Sequence, residues 1–285
     1  MTRSVSRSRI GQVIGKRYEI LSALGQGGQS EVYRARDQRD GDEVALKILK
    51  PGADSESTER MFREARAMAS LHGTAALRVL DQGWSEDGAM CLVTELLVGQ
   101  PLDEVLEVWE KSGKRLDVKT AVQIFDPVVR TLSRAHEVHI VHRDLKPANI
   151  FVLSDQRGVR LLDFGFAKFT QLRGLTAQGM IAGSPSYIAP EVWAGRRDTD
   201  HRVDVYGLGA VIFRCFAGIA PFTSKDLAML LRDVTTAPRP SLVALRPDLP
   251  GAIDDWVLQT LTIDPNQRFQ TVQASWRAFR SVVGE

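Results

Sequence analysis

The hydrophobic periodicity of the sequence changes near Gly99, and this change constrains the fold more than any other feature. Before it, short apolar runs alternate with glycine-rich or charged turns, which is typical of strands. The predicted strands are residues 18–24, 31–36, 44–49 and 90–96. One stretch, residues 57–71, has apolar residues at helical spacing instead. The first part of the chain therefore predicts a small sheet that carries one helix.

After Gly99 most of the chain has helical spacing. The predicted helices are residues 103–111, 119–138, 203–217, 227–234 and 253–261, and residues 150–153 and 159–162 form a predicted hairpin. We interpret residues 1–17 as a basic tail, residues 18–98 as an N-terminal lobe and residues 99–285 as a C-terminal lobe. Two lobes joined around residues 95–99 leave a cleft between them, where ligands tend to bind.

Charge and cysteine usage exclude several classes of protein. The 37 basic and 35 acidic residues nearly cancel to a net charge of +2, so no overall field indicates a nucleic-acid or membrane partner. No apolar run is long enough for a membrane span. Cys91 and Cys215 each lie in an apolar stretch, which suits reduced, buried thiols. These features predict a cytoplasmic protein.

A glycine-rich turn between the first two predicted strands contains Gly25, Gly27 and Gly28. Without side chains in the way, its backbone can close over phosphate groups. A plain hairpin turn is the alternative interpretation. The residues after the turn are strand-like, whereas a dinucleotide-binding fold needs a helix there, and the sequence contains no GxxxxGK[ST] loop.

Lys47 ends the apolar strand Val44-Ala45-Leu46-Lys47, where a cation can hold the phosphates of a nucleotide. Glu64, on the helix that follows, is available to pair with it and to fix its direction. A solvated strand-end lysine and a surface glutamate are the simpler alternatives.

The most informative segment is residues 142–149, which read HRDLKPAN, followed by DFG at residues 163–165. With these two motifs, the sequence resembles the eukaryotic-type (Hanks-type) serine/threonine protein kinases over about residues 18–279. The sequence GKRYEI at residues 15–20 and the pair Gly27-Gly28 are most similar to the bacterial members. The resemblance implies an α+β fold with two lobes, the smaller mainly antiparallel β with one helix and the larger mainly α.

The resemblance also implies a role for each residue of these motifs. Asp144 orients the attacking hydroxyl and accepts its proton, and Lys146 steadies the transferring phosphoryl group. Asn149 and Asp163 hold Mg²⁺, or Mn²⁺ as the alternative metal, through oxygen ligands. A lysine at position 146 favours serine or threonine over tyrosine as the acceptor.

ATP is the implied cosubstrate, with Lys47 and Glu64 as the charge pair beneath the glycine turn. The implied adenine pocket consists of Val32, Ala45, Thr94, Glu95, Leu97 and Phe151.

The resemblance also implies regulation, through the segment that begins at the DFG motif and ends at Glu191, residues 163–191. Arg143 is placed to bind a phosphate added to this segment, and Thr170 and Thr176 are the predicted sites of autophosphorylation, which self-association of two copies would allow in trans. Ser184 replaces the threonine usual in the segment GSPSYIAPE, which resembles a platform for a peptide substrate.

Asp204 and Arg268 match two supporting residues of the family. The resemblance implies that Asp204 braces the catalytic loop and that Arg268 pairs with Glu191. Ser30, where a third loop glycine is common, and HGTA at residues 72–75 depart from the family pattern. The predicted function is transfer of the γ-phosphate of ATP to serine or threonine hydroxyls of proteins. An ATP-binding pseudokinase or scaffold and a small-molecule kinase are the alternatives.

Overall fold

The computed structural model describes residues 9–154, 158–164, 185–196 and 198–285 of the chain. The chain divides into two compact units. The first unit contains residues 1–72 and 76–98, and the second contains residues 73–75 and 99–285. Among the described residues, no helix combines the length and the apolar character that crossing a membrane requires.

The first unit is built on a six-stranded antiparallel sheet with strand order β1-β2-β3-β4-β6-β5. Its strands are β1 Val13–Ile14, β2 Tyr18–Gln26, β3 Ser30–Asp37, β4 Glu43–Leu49, β5 Val79–Trp84 and β6 Met90–Glu95. Alternate residues of β3 and β4 are buried, as expected for strands that pack one face against a core. The core on that face includes Tyr33, Leu46, Ile48 and Val93.

The helix of this unit is α1, Ser55–Ser70. It begins two residues before the predicted start because the side chain of Asp54 accepts a hydrogen bond from the backbone N of Ser57 at 2.8 Å and caps the helix. Met61, Ala65 and Met68 are buried along one face, and α1 contacts β5 and β6.

The second unit is mainly helical. Its helices are α2 Leu102–Lys111, α3 Val118–Glu137, α4 Pro190–Trp193, α5 Arg202–Ala217, α6 Leu227–Thr236, α7 Ile253–Thr260 and α8 Val272–Val283. A small antiparallel sheet with the order β7-β8-β9 completes it. The strands are β7 Gly99–Pro101, β8 Ile150–Leu153 and β9 Val159–Leu161, and a single 3₁₀ turn, Pro147–Asn149, precedes β8.

Helix α5 is buried on almost every side, which explains why its sequence is apolar all round. Thr260 packs so closely that a Cβ atom at Gly209 would lie 2.2 Å from its Cγ2. The position therefore requires glycine, and α5 is the central support of the unit.

The predicted fold class is confirmed: the first unit is an antiparallel sheet with one helix, and the second is mainly helical. Sequence patterns failed to predict β5 and α8, and β1 lies within the predicted basic tail, where it pairs with β2. The predicted tail and lobe boundaries stay predictions. Cys91 and Cys215 are both buried free thiols, as predicted, and burial raises the pKa of Cys91 to about 11.

Candidate active site

The HRDLKPAN segment forms a tight loop around the carboxylate of Asp144. Lys146 Nζ and Asn149 Nδ2 each lie 3.0 Å from its Oδ2. Asn149 Nδ2 also donates to the backbone O of Asp144 at 2.7 Å. The 3₁₀ turn Pro147–Asn149 makes this possible because it folds the chain back over so few residues. The structure therefore brings together three of the predicted site residues.

The backbone of this loop is anchored by Asp204, at the beginning of α5. One carboxylate oxygen accepts from the backbone N of His142 at 2.8 Å, and the other accepts from the backbone N of Arg143 at 2.8 Å. His136 Nε2 lies 2.8 Å from Asp204 Oδ2. Although complete burial opposes it, these hydrogen bonds and the nearby histidines lower the pKa of Asp204. A buried carboxylate therefore fixes two consecutive amides of the HRDLKPAN loop.

Arg143 has a positive φ of 63°, an unusual conformation for a side chain other than glycine. The two amide bonds to Asp204 hold the backbone at this turn. Its own side chain is exposed. The turn therefore separates an anchored backbone from an outward-facing guanidinium.

Asp163 follows β9 and also has a positive φ, of 43°. The backbone N of Leu162 donates to the backbone O of Asn149 at 2.8 Å. This bond holds the next residue, Asp163, close in space to the HRDLKPAN loop. On its other side, the buried ring of Phe164 packs on His142 with a centroid distance of 4.8 Å. The two motifs therefore meet in the folded second unit.

The glycine turn lies between β2 and β3 of the first unit. Gly27 N donates to Ser30 O at 2.8 Å, and a Cβ atom at Gly25 or Gly28 would meet nothing within 4 Å. None of these glycines has a positive φ. The space beside Gly25 and Gly28 is therefore open, and packing within the described residues does not require glycine at either position.

Lys50, which the sequence analysis did not single out, holds this turn. Its Nζ donates to Gly27 O at 2.8 Å and to Gly28 O at 3.1 Å. The lysine follows β4 in the sequence, and only the pairing of β3 with β4 brings it to the turn. No sequence signal distinguishes it from other surface lysines.

Lys47 and Glu64 form the predicted pair, with Lys47 Nζ 3.1 and 3.2 Å from the two carboxylate oxygens. The strand register places four of the predicted residues on one face of the sheet. Val32 lies opposite Lys47, and Ala45 lies opposite Thr94. This face is opposite to the core that includes Tyr33 and Leu46.

The other predicted pocket residues lie as follows. Glu95 ends β6, and its backbone O accepts from Thr94 Oγ1 at 3.3 Å. Leu97 follows in the connection and is half-buried. Phe151 is in the second unit, on β8, where it pairs with Pro101 and Arg160. Thr170, Thr176 and Ser184 lie outside the described residues.

The second predicted support is the pair of Arg268 with Glu191. Arg268 donates to both carboxylate oxygens, at 2.8 and 3.0 Å, and to the backbone O of Arg202 and Thr262. Both side chains are almost fully buried, with exposed fractions of 0% and 5%. This bidentate pair fixes the beginning of α4 to the loop before α8.

Comparison with known proteins agrees with this geometry. Residues 18–279 match the family model described as Protein kinase domain. The chain is 32% identical to Serine/threonine-protein kinase pkn3 of Myxococcus xanthus, with 93% of this chain and 50% of that protein covered. It is 34% identical to Serine/threonine-protein kinase PknA of Mycobacterium tuberculosis, with 92% and 60% covered. The chain thus spans about half the length of the curated relatives it matches.

Among solved structures, the chain is similar to the PknI kinase domain of M. tuberculosis, with a TM-score of 0.75 and 28% identity. The match covers 96% of this chain and 98% of that one. Sequence and structure agree over almost the same residues, so the chain belongs to the protein kinase domain family.

Proposed function

We propose that this chain transfers the γ-phosphate of ATP to serine or threonine hydroxyls of protein substrates. Protein kinases as a family use ATP, a divalent metal ion and protein substrates. The observation that carries the proposal is the contact of Lys146 and Asn149 with the carboxylate of Asp144, each at 3.0 Å. A pseudokinase has no need for this arrangement.

In this proposal, Asp144 orients the substrate hydroxyl and accepts its proton as the new O–P bond forms and the bond to the leaving nucleotide breaks. Lys146 places a positive charge beside the carboxylate, where negative charge on the transferring phosphoryl group must be stabilised. Asp204 holds the loop amides, so Asp144 is positioned before the substrate arrives.

The residues present fit a magnesium ion. Since Asn149 Nδ2 is turned toward Asp144, its Oδ1 faces away and has no hydrogen-bond partner among the described residues. An amide oxygen and the exposed carboxylate of Asp163 are the hard oxygen ligands that Mg²⁺ prefers, and Mn²⁺ accepts the same set. When bound, the metal would neutralise charge on the nucleotide phosphates.

For the nucleotide, Lys47 is directed by Glu64 and would bind phosphate oxygens, with Gly25, Gly27 and Gly28 leaving room for their approach. Val32, Ala45 and Thr94 share the face of the sheet that carries Lys47, which supports their assignment to the adenine pocket. Backbone groups of Glu95 and Leu97 would add hydrogen bonds to the adenine, and the role of Phe151 stays a prediction from the resemblance.

Regulation is part of the proposal. The exposed guanidinium of Arg143 would bind a phosphate on Thr170 or Thr176, and Ser184 would contact the substrate side of the catalytic loop. Self-association would let one copy phosphorylate another. The buried thiols of Cys91 and Cys215 support a reducing, cytoplasmic location.

The test is transfer of labelled γ-phosphate from ATP and Mg²⁺ to a generic basic protein and to the enzyme itself. We expect label on serine or threonine, reduced at least about a hundred-fold in Asp144→Asn. Asp248→Asn, which removes an exposed carboxylate paired with Arg246, is the matched control and should keep its activity. ATP binding without transfer would favour the pseudokinase, and label on small molecules alone would favour a small-molecule kinase.

A further inference from the structure

A cavity of about 610 Å³ in the second unit is separate from the HRDLKPAN loop. It lies beside α4, the end of α6 and the end of α7, and its apolar lining includes Pro190, Ala194, Pro238, Leu258, Ile263 and Pro265. Leu258 and Ile263 are 57% and 40% exposed. Neighbouring exposed apolar side chains in a concave site are typical of a surface that binds a ligand or partner.

The cation in this lining that lacks a counter-ion is Arg239. Among the residues that the structure describes, no carboxylate lies at ion-pair distance from it, and its acceptors are neutral backbone carbonyls, including Leu261 O at 2.9 Å and Val234 O at 3.2 Å. Phe222 covers one face of the guanidinium, with its ring centroid 4.6 Å from Cζ. Burial, together with the charge of Arg268, lowers the pKa of Arg239. An anion at this position would remove that penalty.

Two of the other three charges of the lining have ion-pair partners. Arg268 neutralises Glu191 through the bidentate pair, and Arg196 pairs with Asp198 at 2.8 Å. Asp264 Oδ1 accepts from the backbone N of Asn266 at 2.9 Å. Asp264 makes no ion pair in the described part of the chain. Arg196 and Arg202 offset its charge in part, since their pKa values are raised first by hydrogen bonds to Asp198 and Asp200 and more weakly by Asp264. Arg239 is therefore the charge of the lining for which the described residues supply no opposite charge.

Tyr206 is a second polar group close to Arg239. Its side chain is fully buried, and its hydroxyl has no hydrogen-bond partner among the described residues. Burial raises its pKa, and Arg239 and Arg268 oppose this rise. The charged side chains that act on the Tyr206 hydroxyl in the described part of the chain are thus two arginines and one carboxylate, that of Glu191.

We propose that this cavity is a docking site for an extended segment of a partner protein. The segment places a carboxylate side chain against Arg239 and a neighbouring apolar side chain against Leu258 and Ile263. A protein partner fits because α4, which lines the cavity, begins at the end of the segment GSPSYIAPE, which resembles a peptide platform. A substrate docked there is held close to that platform, which raises its effective concentration. This role in substrate choice rests on the proposed function, whereas the binding itself does not.

Binding is tested first, with labelled peptides that have Gly-Ser sequences at both ends. The two central residues are one apolar residue and one residue that is either acidic or the matching amide. We expect peptides with Glu or Asp next to Leu or Phe to bind at least about ten-fold more tightly than their Gln or Asn counterparts. Leu258→Glu should abolish this binding by adding a like charge. Leu245→Glu, a 44% exposed leucine outside the cavity, is the matched control and should retain it. Equal binding of acidic and amide peptides, loss in both variants, or no binding at all would overturn the proposal.

The role in catalysis is tested by joining the best acidic peptide through a Gly-Ser linker to a serine-containing substrate peptide. We expect the linked peptide to have a KM about ten-fold or more below that of the substrate peptide alone, with kcat unchanged. Leu258→Glu should lose this gain, measured relative to its own activity on the unlinked peptide. If no peptide is phosphorylated although the acidic peptide binds, the proposed function fails and the docking site stands. Phosphorylation without any gain from linkage would overturn the role in substrate choice alone.

Discussion

The two units hold their charged functional side chains in different ways. In the first unit, the pair of Lys47 with Glu64 keeps 23% and 11% of its side chains exposed. In the second unit, Arg268 and Glu191 are 0% and 5% exposed, and Asp204 is 1% exposed. A buried charge that loses its partner is costly, whereas a partly hydrated one is not. The comparison predicts that loss of a buried partner of Glu191 or of Asp204 lowers stability, and that loss of Glu64 beside Lys47 mainly lowers activity.

The largest effect is expected from Arg268→Met. It leaves the carboxylate of Glu191 buried without its partner and also removes the bonds to Arg202 O and Thr262 O. The free energy of unfolding should fall by about 3–5 kcal/mol, measured by urea denaturation. Adding Glu191→Gln to this variant removes the stranded charge and should restore part of the loss. A loss below about 1 kcal/mol in the single variant would contradict the comparison.

Asp204→Asn should have the next largest effect, about 1–3 kcal/mol, because an amide provides one acceptor oxygen for the two loop amides. The effect depends on pH. Since the pKa of Asp204 is lowered in the folded state, its ionised form stabilises the protein above the ordinary aspartate pKa of about 3.9 and loses this effect as the pH falls below that value.

Urea denaturation over a series of pH values checks this prediction. The difference between the wild type and Asp204→Asn should be largest near neutral pH and should shrink below about pH 4. Asp248→Asn, at an exposed pair, controls for loss of a carboxylate. A difference that grows as the pH falls would refute the assignment.

In the first unit, Glu64→Gln should change the free energy of unfolding by less than about 1 kcal/mol. It removes the charge that directs Lys47, so phosphoryl transfer should fall by about a hundred-fold. Denaturation and labelled-phosphate assays measure the two effects. Glu43→Gln, at the exposed pair with Arg34 in the same sheet, is the control and should leave transfer intact. If Glu64→Gln unfolds the protein, the contrast between the units is wrong.

The smallest effect is expected from Glu59→Gln on α1. It breaks an exposed pair, in which the side chains of Arg63 and Glu59 are 59% and 63% exposed. The free energy of unfolding should fall by about 0.3–0.5 kcal/mol, with no change in phosphoryl transfer. A thermal denaturation curve is sufficient to measure it. A cost as large as that of Asp204→Asn would show that exposure does not predict the energy of these pairs.

Much of the fold was predictable, because hydrophobic spacing is a local property. The predicted helix at residues 203–217 corresponds to α5, Arg202–Ala217, and the predicted strands lie within a residue or two of β2, β3, β4 and β6. Helix α8 was missed although Val272, Ser275, Trp276 and Phe279 have helical spacing, so that signal was available. The signal for β5 was weak, because Asp81 and Gly83 interrupt its apolar pattern.

The candidate site was predicted less from local pattern than from resemblance. The HRDLKPAN and DFG motifs named Asp144, Lys146, Asn149 and Asp163 directly, and the structure brings the first three into contact. Lys50 was not predictable, because its bonds to the glycine turn depend on the pairing of β3 with β4. The roles assigned to these residues stay predictions until activity is measured.

The sequence by itself determined the division into a strand-rich and a helical part, the family and the identity of the motif residues, because each depends on residues close together in the chain. The tertiary structure alone decided which charged groups, far apart in the chain, have a partner in the fold. Asp204 reaches amides about sixty residues before it, Arg268 reaches Glu191, and Arg239 lines a cavity with no counter-ion in the part of the chain that the structure describes. Burial fixes the energy of such charges, and burial depends on how the elements of each unit pack together.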